Sequence, residues 1–166
     1  MWKKQRCTPE SLIELGNSAN LKKFIIDENV FYVMHPAVSN QPPDQREMKP
    51  YSLIPVLITF KNFTGHMNWI VVDGDGAIWR IEPHGKRKDV NEKWIQDAFP
   101  QGTTLAQDID IQPKGAGICT ILSTWMMLRF INKQDISILI DVELSDLYEV
   151  CSNIIASQKS LKKRKK

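Results

Sequence analysis

Four polar residues in the middle of the chain are of the types that a thiol hydrolase requires. They are His66, Glu82, Gln112 and Cys119, in that order. Such an enzyme needs a nucleophilic sulfur, a base that takes its proton, a group that orients the base, and donors for the oxyanion. Cys119 is the candidate nucleophile, His66 the candidate base and Glu82 the candidate orienting acid. Gln112 precedes the cysteine by one loop, so its amide and the backbone N–H of Cys119 can face the same point.

The sequence around Cys119 predicts a loop that leads into a buried helix. Two glycines lie just before the cysteine, whereas residues 120–132 contain neither Gly nor Pro and are apolar around most of the helical wheel. Cys119 then falls in the first helical turn, where the helix dipole and unpaired N–H groups favour the thiolate. A lone cysteine that opens an apolar helix is more often a packing residue.

The predicted hairpin is what brings His66 and Glu82 together. Residues 66–73 are strand-like, residues 74–76 are Gly-Asp-Gly, and residues 77–82 form a second strand. A tight antiparallel turn places His66 beside Glu82, so the carboxylate can hold the imidazole. His35 and His84 are the two competing histidines. Each candidate is weak when taken singly, and the order of all four polar residues is what favours a catalytic interpretation.

The predicted fold class is α+β, with an antiparallel sheet that carries His66 and Glu82 and packs on the buried central helix. We expect a single domain over residues 1–158 and a basic tail over residues 159–166. The remaining predicted elements, in chain order, are helices at 9–15 and 19–26, a strand at 30–34, a loop at 39–50, a strand at 53–60 with Pro55 at an edge or bulge, a helix at 89–98, a strand at 104–111, an ambiguous segment at 136–142 and a final helix at 143–157.

Composition limits the class of protein. The 166 residues are 42% hydrophobic and 25% charged, as in an ordinary globular protein, and no apolar run reaches the roughly 18 residues of a membrane span. We therefore expect no membrane association, and the N-terminus lacks a signal-peptide core. Three cysteines without a CxxC pair favour a reducing compartment and argue against disulfides or zinc, and no cofactor is expected. The net charge of +3 arises from six basic residues in the last eight, so the rest is slightly acidic.

These motifs resemble a known family. His66, then Glu82-Pro83-His84-Gly85, then Gln112 with six residues before Cys119, is similar to the adenovirus protease (adenain) and the Ulp-type cysteine proteases. The stretches 65–73 and 80–85 look most like members from large DNA viruses, and the resemblance covers about residues 53–131. It implies a papain-like (adenain/Ulp-type) protease core in which the four polar residues are catalytic. It also implies that Trp69 and Gly117 lie on the substrate side.

The resemblance implies a viral cysteine endopeptidase that matures capsid or core precursors by cleavage after Gly-Gly-type sites. A second hypothesis is a virion structural protein that keeps the protease fold, and a third is a protease that deconjugates ubiquitin-like proteins. Expected locations are the virion or the host cytoplasm and viral factory, without secretion. Capsid proteins are possible partners, and nucleic acid is another through the basic residues at the C-terminal end, Lys162, Lys163, Arg164, Lys165 and Lys166. A solvated end or a nuclear-import-like patch is the alternative for that segment.

Overall fold

The computed structural model describes residues 4–6, 8–34, 48–59, 65–85, 92–99, 101–111, 119–141 and 144–164. Within these residues the chain forms eight strands and five helices, and their order mixes both types along the whole sequence. The elements are β1 (Lys4–Arg6), α1 (Pro9–Gly16), α2 (Ala19–Lys22), β2 (Ile25–Ile26), β3 (Phe31–Met34), β4 (Ser52–Thr59), β5 (Gly65–Val72), β6 (Ile78–Ile81), α3 (Glu92–Ala98), β7 (Thr104–Leu105), α4 (Cys119–Ile131), β8 (Leu139–Asp141) and α5 (Leu144–Arg164).

The main sheet is mixed. Its order is β2-β4-β5-β6-β7, with β3 beside β4, and a separate pair joins β1 to β8 in parallel. The three central strands β4, β5 and β6 are antiparallel, as predicted, whereas β2, β3 and β7 run parallel to their neighbours. The α+β class is therefore confirmed, and the sheet is mixed, whereas an antiparallel sheet was predicted. Short strands that return through helices or loops account for the parallel edges, because such connections need no tight hairpin.

Alternation along β5 divides the core into two hydrophobic clusters. Trp69 and Val71 belong to a cluster with α4, whereas Ile70 and Val72 belong to a cluster with α3. Successive side chains of a strand point to opposite faces, so helices cover both faces of the sheet. Helix α4 is buried from Ile121 through Arg129, as its all-round apolar pattern predicts.

Pro55 lies inside β4 and not at an edge or bulge. Asp27 donates its N–H to the carbonyl oxygen of Leu53, so the backbone of Leu53 faces the side on which β2 lies. Pro55 is two residues later in the strand, so its backbone nitrogen faces the same side. On that side β2 pairs with residues 52–53 and β3 with residues 56–59, and Pro55 falls between them. The missing N–H therefore faces a gap between two neighbours, which is how a central strand tolerates proline.

Several element boundaries differ from those predicted. The first helix, the hairpin and the start of α4 agree with the prediction. The second helix stops at Lys22 and gives way to β2, while the strand predicted at 104–111 is only Thr104–Leu105. Helix α5 continues to Arg164, across the predicted boundary at residue 158, because nothing between Gln158 and Arg164 is a helix breaker. The loop predicted at 39–50 lies largely outside the described residues. Among the described helices, none is both long and apolar enough to cross a membrane.

The turn after β6 packs against the segment 106–111. Gly85 donates its N–H to the Glu82 carbonyl at 2.9 Å, and Ile111 donates to the carbonyl of Pro83 at 2.8 Å. The side-chain amide of Gln107 donates to the Glu82 carbonyl at 2.9 Å. Gly85 has a φ of 60°, and a Cβ there would lie 2.5 Å from the carbonyl carbon of Asp108. Only glycine fits both the backbone conformation and the space.

Substitution of Gly85 tests this packing. Gly85→Ala is expected to lower the free energy of unfolding by about 2–3 kcal/mol, from left-handed strain and the backbone clash together. Gly102→Ala is the matched control, because Gly102 has a φ of 88° with no atom within 4 Å of a Cβ. That variant should lose only about 1 kcal/mol. Urea unfolding measures both, and equal losses would show that segment 106–111 does not constrain the turn.

Candidate active site

The candidate site lies where the open end of the β5–β6 hairpin meets the first turn of α4. Trp69 pairs with Ile81, and continuing this register places Glu82 opposite Asn68, on the face that also carries His66. The Nε2 atom of His66 lies 2.5 Å from the Oε1 atom of Glu82. The predicted contact between imidazole and carboxylate is therefore present in the structure, as a diagonal pair across the two strands.

Glu82 is held by four donors although its exposure is only 3%. Besides His66, the backbone N–H of His84 donates to Oε1 at 3.1 Å. The Asn68 amide donates to Oε2 at 2.6 Å, and Arg80 donates to the same oxygen at 3.4 Å. Burial alone would raise the pKa of this carboxyl. The hydrogen bond and charge of His66, the charge of Arg80 and the Asn68 amide outweigh burial and lower the pKa to about 2.

Cys119 opens α4 and accepts hydrogen bonds from three groups, one of which is the side chain of Thr120. The backbone N–H of Met67 donates to the sulfur at 3.4 Å, and His66 is hydrogen-bonded to it through the side chain. Because Nε2 of His66 faces Glu82, Nδ1 is the nitrogen left for the sulfur. Burial raises the pKa of the Cys119 thiol, but the His66 hydrogen bond, the Met67 N–H and the imidazolium charge lower it below its ordinary value.

The imidazole responds in the opposite direction. Burial lowers the pKa of His66, but its hydrogen bonds to Cys119 and Glu82 and their negative charges outweigh this effect and raise the pKa to about 9. A thiol with a lowered pKa beside an imidazole with a raised pKa favours the thiolate–imidazolium form of the pair. Cys119 is half-buried, so the pair lies near the protein surface. Such a pair supplies both a nucleophile and a proton donor.

Trp69 is a core residue and not a surface for substrate. Its side chain is 0% exposed, and its indole N–H donates to the Thr124 hydroxyl at 3.1 Å. Thr124 in turn donates to the carbonyl of Thr120, one turn earlier in α4, at 2.7 Å. The predicted substrate contact is therefore corrected. Because the indole is fully enclosed, Trp69 instead fixes how far α4 slides along β5, and so where Cys119 lies relative to Met67.

The structure brings together three of the four predicted catalytic residues, Cys119, His66 and Glu82. Gln112 and Gly117 lie outside the described residues, as do Lys165, Lys166 and the competing residue His35. Lys162, Lys163 and Arg164 belong to the last turn of α5. The other competing histidine, His84, directs its Nδ1 atom to Asp110 at 3.0 Å and not to Cys119.

Two residues of the polar network were missed by the sequence prediction. Asn68 and Arg80 lie on the same strand face as His66 and Glu82, and both are almost fully buried. The signal that could have found them is strand alternation. Both are polar residues at even-numbered positions, like His66 and Glu82, within strands that are otherwise apolar. In the part of the chain that the structure describes, no group of three His, Cys, Asp or Glu side chains could hold a metal ion.

The pH dependence of stability should isolate Glu82. The raised pKa of His66 gives a contribution that is complete below 6.5 and is lost as the pH rises through about 9. The lowered pKa of Cys119 gives a contribution that grows as the pH rises, so the two oppose each other on the alkaline side. On the acid side, the contribution of Glu82 is not opposed in this way. Its contribution is complete above 4.5 and is lost as the pH falls toward 2.

We therefore expect wild-type protein to lose more stability than Glu82→Gln between pH 5 and pH 2.5. The isosteric amide does not titrate in this range, so the difference between the two acid losses should be about 2 kcal/mol. Chemical unfolding at several pH values measures the difference. Asp75→Asn, at an exposed hairpin turn, is the matched control and should parallel wild type. Parallel acid losses for Glu82→Gln and wild type would contradict a charged, paired Glu82.

Comparison with known proteins gives no relative for this chain. No protein-family model matches the sequence, and neither a curated protein nor a solved structure is significantly similar to it. The geometry and electrostatics of the site are therefore the basis for a functional proposal.

Proposed function

We propose that the protein is a cysteine peptidase. The observation that carries the proposal is one chain of contacts, in which a helix-opening thiol is hydrogen-bonded to an imidazole that a buried carboxylate holds from the other side. Nucleophile, base and orienting group are the three parts of a thiol-hydrolase site, and the order of contacts is the order in which they act.

In the acylation step, the Cys119 thiolate attacks the carbonyl carbon of a peptide bond and a C–S bond forms. The carbonyl electrons move to oxygen, and as they return, the C–N bond breaks. His66 donates its Nδ1 proton to the departing nitrogen, so the leaving group is a neutral amine. Glu82 keeps the ring oriented throughout, and Met67 holds the sulfur in place before attack.

In the deacylation step, the neutral His66 imidazole takes a proton from water as that water attacks the thioester carbonyl. The C–S bond then breaks, a carboxylic acid leaves, and the thiolate and imidazolium are restored. The oxyanion of both steps needs N–H donors. The backbone N–H of Cys119, at the positive end of α4, is one candidate, and the Gln112 amide is the other, as the family resemblance implies.

The proposal extends to the papain-like, adenain/Ulp-type class. Support comes from the chain order His66, Glu82, Gln112, Cys119, from the hairpin that holds the first two, and from the buried helix that the cysteine opens. Within this class we propose a viral endopeptidase that cleaves polypeptide precursors after Gly-Gly-type sites, acting in the virion or in the infected cell. A structural virion protein would show no turnover, and a deconjugating enzyme would prefer a folded ubiquitin-like domain before the scissile bond.

The test is cleavage of a fluorogenic peptide that ends in Gly-Gly, compared among matched variants. Cys119→Ala should abolish turnover, and His66→Ala should leave almost none. Gln112→Ala should lose about 3 kcal/mol of transition-state stabilisation, or roughly a hundredfold in kcat. Activity should also decline above a pH of about 9, where His66 loses the proton it donates.

Cys151→Ser is the matched cysteine control, since Cys151 is buried in the core away from the site. It is purified in parallel and should keep full activity per folded molecule. Full activity of Cys119→Ala, or absence of turnover by wild type on peptides and on ubiquitin-like fusions alike, would overturn the peptidase proposal.

We also propose that the basic C-terminal end binds nucleic acid. The specific observation is that α5 runs without a break to Arg164, so the basic residues continue a helix of the folded domain. About five neutralised phosphates should give a log-affinity that falls with log salt at a slope of about −4 to −5 on duplex DNA. Such binding depends on phosphate charge and should not discriminate among sequences.

Replacing Lys162, Lys163, Lys165 and Lys166 by Gln should reduce the salt slope to about −1, because Arg164 is then the one remaining residue of the five proposed contacts. Gln retains helix propensity, so α5 is preserved, and peptide cleavage should be unchanged. Lys22→Gln with Lys133→Gln, two exposed lysines elsewhere, is the control and should keep the wild-type slope. An unchanged slope in the four-residue variant would exclude this segment as the nucleic-acid contact.

A further inference from the structure

A second histidine covers the ring of His66. The rings of His84 and His66 have centroids 4.9 Å apart and planes inclined by 33°. The side chain of His84 is 26% exposed and that of His66 only 10%, so His84 lies on the outer side. Aromatic rings at this separation attract each other and restrict each other's rotation. The catalytic imidazole is therefore bounded by Glu82 at one nitrogen, Cys119 at the other and a second ring against its plane.

His84 is itself fixed at several points. Its backbone N–H donates to Oε1 of Glu82, the oxygen that also binds His66. Its Nδ1 atom lies 3.0 Å from Oδ1 of Asp110, a residue of the segment that packs against the turn. Gly85 follows at once, and the turn packs so closely on Asp108 that a Cβ at Gly85 would lie 2.5 Å from the Asp108 carbonyl carbon. A surface histidine with this many constraints has a defined position above the active-site ring.

From this arrangement we infer that His84 is a positioning residue of the peptidase, supported by Asp110. Its ring keeps the imidazole of His66 turned so that Nδ1 faces the sulfur while Nε2 stays on Glu82. Without that ring, the outer face of His66 opens to water and the imidazole can rotate away from Cys119. The thiolate then loses the hydrogen bond and the charge that stabilise it. This inference rests on the proposed function, because it concerns the same thiolate–imidazolium pair.

The charged groups around His84 indicate that its role depends on the packing of its ring and not on a charge of its own. Asp110 lies on one side, and Glu82 and the His66 imidazolium lie on the other, with Arg80 behind Glu82. A positive charge on His84 would meet the carboxylates of Asp110 and Glu82 as well as the imidazolium, so attraction and repulsion offset each other. Ring contact has no such opposing contribution. An uncharged aromatic residue should therefore replace His84, and a polar residue without a ring should not.

The experiment measures the rate at which iodoacetamide alkylates Cys119 across pH 4 to 10, resolved from Cys7 and Cys151 by peptide mass spectrometry. This readout reports the thiolate directly and does not require peptidase turnover. Wild type should react with a midpoint below that of an ordinary thiol. His84→Ala should slow alkylation at pH 6 about tenfold and shift its midpoint upward, with a similar loss in kcat and little change in KM.

Two further substitutions separate ring packing from hydrogen bonding. His84→Phe should restore the low midpoint and most of the rate, whereas His84→Gln, which can still donate to Asp110, should behave like His84→Ala. Asp110→Ala should slow alkylation by a smaller factor of about threefold, and Asp108→Ala, an exposed neighbour, is its matched control. Circular dichroism identifies any variant that fails to fold. If the His84 variants do not fold, the comparison of Asp110→Ala with Asp108→Ala tests the inference instead.

Each outcome decides between the two proposals. An ordinary midpoint for wild-type Cys119 would overturn the peptidase proposal and the role of His84 with it. A low wild-type midpoint that His84→Ala and Asp110→Ala leave unchanged would overturn only the role of His84. Rescue by Gln but not by Phe would overturn the ring-packing basis, because the hydrogen bond to Asp110 would then be the part that matters.

Discussion

The buried carboxylate of Glu82 is the group on which the rest of the site depends. A charged carboxylate removed from water is tolerated only when its oxygens are hydrogen-bonded and its charge is matched. Here the donors come from β5, from β6 and from the turn that follows β6, so the hairpin register must be right to within one residue. The conformation of the turn after β6 depends on segment 106–111, which is hydrogen-bonded to it. One charge thus constrains four stretches of backbone.

A second and independent constraint positions the sulfur. Helix α4 is apolar on nearly every side, so it has to lie between the sheet and the helices α1 and α5, and packing alone determines its face. Packing does not determine how far a helix slides along its axis, because apolar contacts are non-directional. The hydrogen bond from the Trp69 indole to the Thr124 hydroxyl determines this axial position. The hydrophobic constraint and the polar constraint meet at Cys119, where His66 and the Met67 N–H converge.

The part of the fold that the sequence predicts is the part with strong local signals. The Gly-Asp-Gly turn between two apolar strands determines the hairpin, and with it the contact between His66 and Glu82. The run after Cys119 has no helix breaker, so the start of α4 could be predicted to the residue. Parallel pairing of β2, β3 and β7 leaves no comparable pattern, because it joins residues through long connections. Pro55 was misjudged for the same reason, since its tolerance depends on a gap between two distant strands.

The polar network also shows why individual residues were harder to assign than the site. Trp69 follows the histidine closely enough to suggest a substrate contact, yet its odd-numbered position in β5 turns it inward toward α4. Asn68 was overlooked although its parity matches that of His66. Predicting the face of each strand before assigning roles would have placed Asn68, and not Trp69, beside His66 and Glu82.

The energetics of the network bear on the choice between an enzyme and a structural protein. Replacing a buried ion pair by apolar residues of similar volume is often neutral or stabilising, so a fold that only had to pack gains little from His66, Asn68, Arg80 and Glu82 together. Their common effect is on acidity. His66 lowers the pKa of the Cys119 thiol, and Glu82, to which Asn68 and Arg80 donate, raises the pKa of His66. Nucleophilic attack requires the first shift and proton donation the second. A buried polar network beside the half-buried Cys119 thus favours the proposed enzyme over a structural protein.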